Sequence, residues 1–300
     1  MYVIFGATGH TGSAIAETLL AKGEKVRAIG RSKERLAKVA GLGAELFVGD
    51  IADSAFLTQA FDGARAIYFM VPPDPSSNDY RGHQRQIIEA GATALEATRV
   101  HYVVALSSFG ADKESGTGPV AGLHEMESRL QRIAGLNALN LRAGYFMENV
   151  LPQVGVIQNF GMIATPLRSD LLVPMIATED IAAAAAEHLL KLDFSGHQTR
   201  ELQGQRDISY AEVARIVGAA IGKPSLAYLQ LPNEQFIEAL TQMGFSRSFA
   251  GLMVEMTDAL NGGRMVTLEP RTSANTTPTS FEAFVQRAFV PEFRGKAATA

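Results

Sequence analysis

A glycine-rich segment directly follows the first apolar run of this chain and constrains its fold more than any other feature. Residues 2–5 form a short apolar run, and the next seven residues are Gly-Ala-Thr-Gly-His-Thr-Gly, at the start of a helical pattern that ends near Ala21. In a strand–turn–helix unit, such glycines permit a tight turn, a close approach of ligand to backbone, and close packing of helix on strand. We therefore predict that Gly6, Gly9 and Gly12 open a βαβ unit.

The same segment predicts a site for the pyrophosphate of a dinucleotide. Free backbone amides and the helix dipole both favour an anion at the N-terminus of a helix. The loop residues expected to contact the cofactor are Gly6, Thr8, Gly9, His10, Thr11 and Gly12. An ordinary glycine turn is the alternative, but the position between a strand and a helix favours nucleotide binding.

The first 142 residues alternate short β-branched runs with longer helical patterns, which is typical of βαβ units on a parallel sheet. The predicted strands are Tyr2–Phe5, Lys25–Ile29, Glu45–Val48, Ala66–Val71, Tyr102–Leu106 and Ala138–Leu141. The predicted helices are Gly12–Ala21, Lys33–Val39, Ser54–Phe61, Gln84–Ala97 and Gly122–Ile133. We predict the α/β class, with a doubly wound Rossmann sheet whose ligands bind at the carboxyl ends of its parallel strands.

After Arg142 the pattern becomes less regular and mixes helices with isolated strands. The predicted elements there are Tyr210–Ile221, Leu226–Gln230, Asn233–Met243 and a helix near Phe249–Asn261. We predict an NAD(P)-binding Rossmann domain at residues 1–150. Residues 151–300 are predicted to form a smaller α+β substrate-binding lobe, from which some segments can return to the main sheet.

The composition argues against several classes of function. The chain has 300 residues, 47% of them hydrophobic, and a formal net charge of -4, so we expect a globular protein without a strong attraction for nucleic acid or anionic membranes. Cysteine is absent, which removes disulfides, thiol nucleophiles and thiolate metal sites. We expect a cytoplasmic protein with a small-molecule substrate and no bound metal. The sequence leaves self-association open.

The second residue after the second predicted strand indicates which dinucleotide is bound. Enzymes that bind the ribose 2′-hydroxyl of NAD usually have an acidic residue there, whereas this chain has Arg31. A guanidinium can pair with a 2′-phosphate through two hydrogen bonds, so NADP(H) is favoured over NAD(H). The alternative is that Arg31 belongs to a solvated basic edge with its neighbours Arg27, Lys33, Arg35 and Lys38.

Further cofactor contacts are expected where the third, fourth and fifth predicted strands end. Asp50 is placed to meet the adenine, and the segment that follows the fourth strand is placed to line the central ribose and the nicotinamide. The residues of this set are Asp50, Ile51, Met70, Val71, Pro72 and Ser107. Ser107 can serve either as a hydrogen-bonding partner of the nicotinamide ribose or as a catalytic group.

The order of motifs along the chain resembles the NmrA-like family of atypical short-chain dehydrogenases/reductases. The matching motifs are GATGHTG at 6–12, VRAIGR at 26–31, GDIAD at 49–53, VPP at 71–73, LSSFGA at 106–111, LHEMES at 123–128, LRAGYFMEN at 141–149 and ATEDIA at 177–182. The remaining residues resemble the family's small, variable substrate domain more weakly. The resemblance implies a Rossmann fold that binds NADP(H).

The resemblance also implies two kinds of function. Some members are NADPH-dependent quinone and triarylmethane-dye reductases, which predicts hydride transfer to a small flat electrophile. Others are non-catalytic, NADP(H)-sensing regulators that act through a protein partner, and a non-redox enzyme on this fold is a third reading. Many relatives in the wider superfamily use a Tyr-x-x-x-Lys pair, but none of the seven tyrosines here is followed by lysine at that spacing.

The family's substrate pocket implies a set of residues around the nicotinamide. They are Ser108, Phe109, Tyr145, Phe146, Met147 and Asn149, and His124 is the candidate catalytic residue. Aromatic and thioether side chains suit a flat acceptor. The alternatives are that Phe146 and Met147 are core residues between the two parts of the chain, and that His124 makes a structural hydrogen bond.

Overall fold

The strands and helices of this computed structural model, which describes residues 1–297, follow the predicted α/β order. The strands are β1 (Tyr2–Ile4), β2 (Val26–Gly30), β3 (Glu45–Val48), β4 (Ala66–Phe69), β5 (Tyr102–Ser108), β6 (Asn137–Ala143), β7 (Tyr145–Phe146), β8 (Met162–Thr165), β9 (Val173–Ile176), β10 (His197–Leu202), β11 (Asp207–Ile208) and β12 (Ala227–Gln230). The helices are α1 (His10–Ala21), α2 (Ala37–Gly41), α3 (Ser54–Phe61), α4 (Tyr80–Ala97), α5 (Val120–Gln131), α6 (Gln153–Phe160), α7 (Thr178–Lys191), α8 (Tyr210–Ala220), α9 (Asn233–Gln242), α10 (Arg247–Asn261), α11 (Phe281–Phe284) and α12 (Val290–Ala297).

The main sheet within residues 1–297 has seven parallel strands in the order β10-β6-β5-β4-β1-β2-β3. Strands β1 and β4 are buried along their whole length, because helices cover both faces of the sheet. This order reverses direction beside β1, so the carboxyl ends of β1 and β4 flank the crevice where such sheets bind ligands. The Rossmann prediction is confirmed.

The predicted bounds of β3 and α3 agree with the structure, and most of the others shift by a few residues. Helix α2 is the largest departure in the first half, since it starts at Ala37 rather than at Lys33. The hydroxyl of Ser32 accepts a hydrogen bond from the Arg35 amide and donates one to Glu34. These hydrogen bonds stabilise a turn, so the helix begins only after it.

A segment from the second half of the chain completes the main sheet. Strand β10 pairs with β6 over six residues, and α7 packs on α1 through Ile181, Ala185 and Leu189. Residues 178–202 therefore lie with the Rossmann part. The last three residues of the predicted lobe, 298–300, lie outside the described residues.

The rest of the second half forms a smaller α+β part at the carboxyl end of the sheet. Its small sheets are β11-β9-β7 and β12-β8, and its core contains Met147, Tyr210, Phe281 and Phe289. Within residues 1–297, no helix is both long enough and apolar enough to span a bilayer.

Three chain segments cross side by side where the two parts meet. A Cβ atom at Gly144 would overlap the backbone oxygen of Pro174, and one at Gly204 would overlap the backbone oxygen of Met175. Backbone thus packs directly on backbone at the crossing, and no larger residue fits at either glycine.

We predict that Gly12→Ala destabilises the fold. The added Cβ would lie 2.5 Å from the backbone oxygen of Phe5, and backbone atoms cannot rotate away. The expected loss in free energy of unfolding is about 2–3 kcal/mol. Urea unfolding followed by circular dichroism measures it.

The matched control is Gly155→Ala, a second glycine inside a helix. Its added Cβ meets nothing within 4 Å, so this change should raise stability by about 0.5–1 kcal/mol through reduced backbone entropy of the unfolded chain. Equal effects of the two substitutions would contradict the close-packing role of Gly12.

Candidate functional site

The turn between β1 and α1 has the geometry of a phosphate-binding loop. Gly6 has a positive φ of 61°, and the Gly9 amide donates to the Gly6 oxygen over 2.8 Å. Gly9 precedes α1 and has no side chain to cap it, so the helix amides are available to an anion. An open cavity of about 250 Å³ lies here. It is lined by Ala7, Thr8, Gly9, His10, Ser13, Arg35, Lys38 and Val39.

The predicted loop residues divide into an exposed and a buried set. Thr8, Gly9 and His10 are exposed at the cavity, and the nearby cations of Arg35 and Lys38 add positive charge. The hydroxyl of Thr11 instead accepts a hydrogen bond from buried Tyr68 over 3.0 Å, which fixes α1 on the sheet. The two cations are the part of the predicted basic edge that reaches the loop, whereas Arg27 pairs with Glu45 across neighbouring strands.

A second cavity, of about 220 Å³, brings together predicted residues from three strand ends. Its lining includes Arg31, Asp50, Ile51 and Pro72, and its other residues are Ala52, Pro73, Asp74, His83, Gln86 and Ile87. The Ser76 hydroxyl donates to Asp74 and holds the pKa of that carboxyl below its usual value, and the charges of His83 and Arg31 act in the same direction. The geometry fits an adenosine moiety, with Arg31 exposed at the rim.

Two other predicted cofactor residues, Met70 and Val71, pack against other parts of the protein. The Met70 sulfur lies 2.9 Å from where a Cβ of Gly6 would be, so Met70 packs against the loop. Val71 is buried in the core beneath α4.

Ser107 belongs to a buried polar cluster that ties β5, α5 and β6 together. Its hydroxyl donates to Glu127, and the Arg142 guanidinium donates to both oxygens of the same carboxylate over 2.9 and 2.6 Å. Burial opposes the charge of Arg142, but the hydrogen bonds and charge of Glu127 raise its pKa above the usual value. The Ser107 hydroxyl is thus engaged by Glu127, at the carboxyl end of its strand.

A large apolar cavity of about 690 Å³ opens in the smaller part, next to the end of β6. Tyr145 and Asn149 contribute to its wall directly after that strand, and α9 and α10 contribute Phe236, Leu240 and Met253. Helix α9 has no fully buried residue, so its apolar face rests on the cavity rather than in the core. These residues were not predicted from the sequence, although the i, i+4 spacing of Phe236 and Leu240 was a usable signal.

The structure separates the six predicted substrate residues. Tyr145 and Asn149 line the apolar cavity, whereas Phe109 and Met147 are core residues with exposures of 3% and 1%. Phe146 packs on the core beneath the main sheet. The last residue of the set, Ser108, donates to the backbone oxygen of the next residue.

His124 lies away from these cavities. Its Nδ1 atom is 2.9 Å from the backbone oxygen of Ala111, and the ring faces a cleft of about 310 Å³ between α4 and α5. Arg85, Glu89 and Ser128 line the same cleft. This placement agrees with the alternative that His124 makes a structural hydrogen bond. The histidine is not brought together with Tyr145 and Asn149.

Three tyrosines form a row behind the cavity wall. The Tyr210 hydroxyl donates to that of Tyr145 over 3.3 Å, and the Tyr210 ring packs on Tyr228 with centroids 5.4 Å apart. Burial raises the pKa of Tyr145 and of Tyr210, and raises that of Tyr228 to about 12. All three phenols are therefore neutral near pH 7.

The loop that follows β4 connects the second cavity to the apolar one. Pro72 lines the former, and the Pro75 oxygen accepts a hydrogen bond from the Ser246 amide over 2.8 Å. The next contact is between the rings of Tyr80 and Phe249, whose centroids are 5.1 Å apart, and Phe249 lines the apolar cavity. The described residues 1–297 contain no group of three or more His, Asp or Glu side chains that could hold a metal ion.

Residues 2–285 match the NmrA-like family, and the chain belongs to that family. It is 28% identical over 258 residues to an NAD(P)H azoreductase of Xenophilus azovorans, covering 85% of this chain and 86% of the relative. The structure of the NADPH-dependent quinone oxidoreductase QOR2 of Escherichia coli complexed with NADPH aligns with a TM-score of 0.79 at 24% identity, covering 96% of this chain and 100% of the other. The triphenylmethane reductase of Citrobacter sp. complexed with NADP(H) aligns with a TM-score of 0.75 at 21% identity, covering 95% and 99%.

We predict that Glu127→Gln destabilises the protein, because it removes the hydrogen-bonded counter-ion of the largely buried Arg142 and leaves only the charges of Asp112 and Glu201 near it. The expected loss in free energy of unfolding is about 3 kcal/mol. The control is Glu187→Gln, which removes an exposed ion pair with Lys191 and should cost less than about 1 kcal/mol. Similar urea midpoints for the two variants would show that the buried ion pair contributes no more to stability than the exposed one.

Proposed function

We propose that this protein is an NADPH-dependent reductase of small, flat, apolar electrophiles such as quinones or dyes. The observation that carries the proposal is the apolar cavity beside the carboxyl end of β6, on the same sheet edge as the glycine loop. A dinucleotide bound along that edge would be held at its phosphates by the N-terminus of α1, with its nicotinamide end toward β5 and β6. The apolar cavity would then lie next to the nicotinamide end, where a bound acceptor could receive the hydride.

The residues present fit such a cofactor. The Gly6–Gly12 turn leaves the backbone open to a pyrophosphate, and the cavity with Arg31 and Asp50 accepts the adenosine end. Arg35 and Lys38 supply further positive charge near the phosphates. When bound, NADPH supplies the hydride.

The chain's own contribution is to bind and orient the acceptor and to exclude water from it. The side chains of Phe236, Leu240 and Met253 give an apolar wall, which suits a flat conjugated ring system. Holding such a ring near the nicotinamide converts a collision into an intramolecular step. The relatives support the acceptor class, since they include an azoreductase, a quinone oxidoreductase and a triphenylmethane reductase.

The direct test is NADPH oxidation at 340 nm with a quinone, an azo dye and a cationic triarylmethane dye. We expect steady turnover with at least one of them and NADP⁺ as the product. Tight NADPH binding without turnover of any acceptor in a broad panel would contradict the reductase proposal and favour the regulator that signals through a protein partner.

Substitution of the cavity wall should weaken acceptor binding alone. Leu240→Glu places a carboxylate in the apolar cavity, so we expect KM for the acceptor to rise at least about 10-fold while NADPH affinity stays unchanged. Gln242→Glu, on the exposed side of the same helix, is the matched control and should leave KM unchanged. A parallel rise in both variants would indicate a charge effect unrelated to the cavity.

Arg31→Asp should weaken NADPH binding by about 1–3 kcal/mol, through loss of a charge-assisted pair with the 2′-phosphate. NADH affinity should change little, because NADH lacks that phosphate. Lys33→Asp makes the same change in charge two residues away, outside the cavity linings at Arg31 and at the loop, and serves as the control. Dissociation constants from fluorescence titration decide the matter, and equal NADPH affinities in wild type and Arg31→Asp would refute the assignment.

A further inference from the structure

We propose that Tyr145 is the acid that protonates the reduced acceptor, and that Tyr210 positions it. The inference rests on the proposed reductase function and adds a catalytic residue to it. It supplies a proton donor at a site without the Tyr-x-x-x-Lys pair.

The position of Tyr145 is suited to such a role. It lies in β7, two residues after the end of β6, and its pairing with Met175 in β9 fixes the backbone. Its side chain lines the apolar cavity together with Asn149. The phenol is therefore held by the sheet rather than by a loop, at the end of the cavity nearest the main sheet.

The hydrogen bonds around the phenol leave its proton available. Tyr210 donates its hydroxyl hydrogen to the Tyr145 oxygen over 3.3 Å. Burial raises the pKa of Tyr145, and the side chains of Tyr210 and Asn149 lower it in part by favouring the charged form. Within the described residues, the Tyr145 oxygen accepts this bond from Tyr210 and donates none to another protein group. Its own hydrogen can therefore be donated into the cavity, and the two partners stabilise the phenolate that forms.

The other hydroxyl and carboxyl groups of the cavity wall are engaged elsewhere. Glu148 accepts hydrogen bonds from the amide and the hydroxyl of Thr178 at the N-terminus of α7. The Thr165 hydroxyl bonds to that of Tyr228, and the Thr257 hydroxyl donates to a backbone oxygen of its own helix. Tyr145 thus supplies the acidic hydrogen that faces the acceptor.

An azo acceptor shows what the proton does. A hydride forms an N–H bond at one azo nitrogen, the N=N π bond breaks, and its electron pair moves to the second nitrogen. That nitrogen takes the proton of Tyr145, which gives the hydrazo product, while NADPH becomes NADP⁺. Water then reprotonates the phenolate. A cationic triarylmethane dye needs no proton, because hydride addition to its central carbon gives a neutral product.

The test compares these two acceptors in wild type and in Tyr145→Phe, which keeps the ring and removes the acid. We expect kcat for the azo dye to fall about 100-fold, the usual contribution of a general acid. The rate with the cationic dye should stay within about two-fold, since that reaction transfers no proton. Turnover of the cationic dye also shows that the variant is folded.

Tyr210→Phe tests the positioning residue. We expect a smaller fall in kcat for the azo dye, about 10-fold, with KM unchanged and the cationic dye unaffected. Tyr228→Phe is the matched control. Its hydroxyl donates to the backbone oxygen of Leu167 rather than to Tyr145, so its loss should lower stability without separating the two acceptors.

Three results would overturn the inference. If Tyr145→Phe slows both acceptors equally, Tyr145 only shapes the cavity. If it slows neither, water supplies the proton. If the wild type reduces the cationic dye but no azo compound, the reductase function stands while the role of Tyr145 as an acid fails. A wild type that oxidises NADPH with neither dye nor quinone would remove the proposed function, and this inference with it.

Discussion

Helix α1 can begin where it does because residue 12 carries no side chain. The backbone of Phe5 and Gly6 occupies the space that a Cβ would need, so the helix N-terminus lies against the end of β1. This contact brings the free amides of the helix to the sheet edge. Since all strands of the main sheet run parallel, the ends of the other strands open on that same edge. The cavity at the glycine loop, the cavity at Arg31 and the apolar cavity are arranged along it.

Local patterns made much of this arrangement predictable. The glycine spacing located the loop, and the strand ends located Arg31, Asp50, Ile51 and Pro72, which share one cavity. The reason is that alternation of strand and helix defines a parallel sheet, and a parallel sheet places every strand end on one side. Tyr145 was instead proposed from the resemblance to the NmrA-like family.

The features that were not predictable depend on partners distant in the sequence. The engagement of Ser107 follows from Glu127 and Arg142, which reach it only after α5 and β6 have packed. Whether Met147 faces the core or a ligand is decided by helices that come much later in the chain. The return of β10 to the sheet is also non-local, because six residues of an isolated, partly polar strand do not identify their partner.

The crossing at Gly144 and Gly204 determines how the molecule can move. A hinge needs one or two segments that bend freely, but here three segments cross with backbone packed on backbone. Bending one of them would force the other two to slide, so a hinge at this crossing is disfavoured. Entry to the apolar cavity is then governed by its rim. Helix α9 buries no residue completely, so of the elements on that rim it would lose the least buried surface on moving.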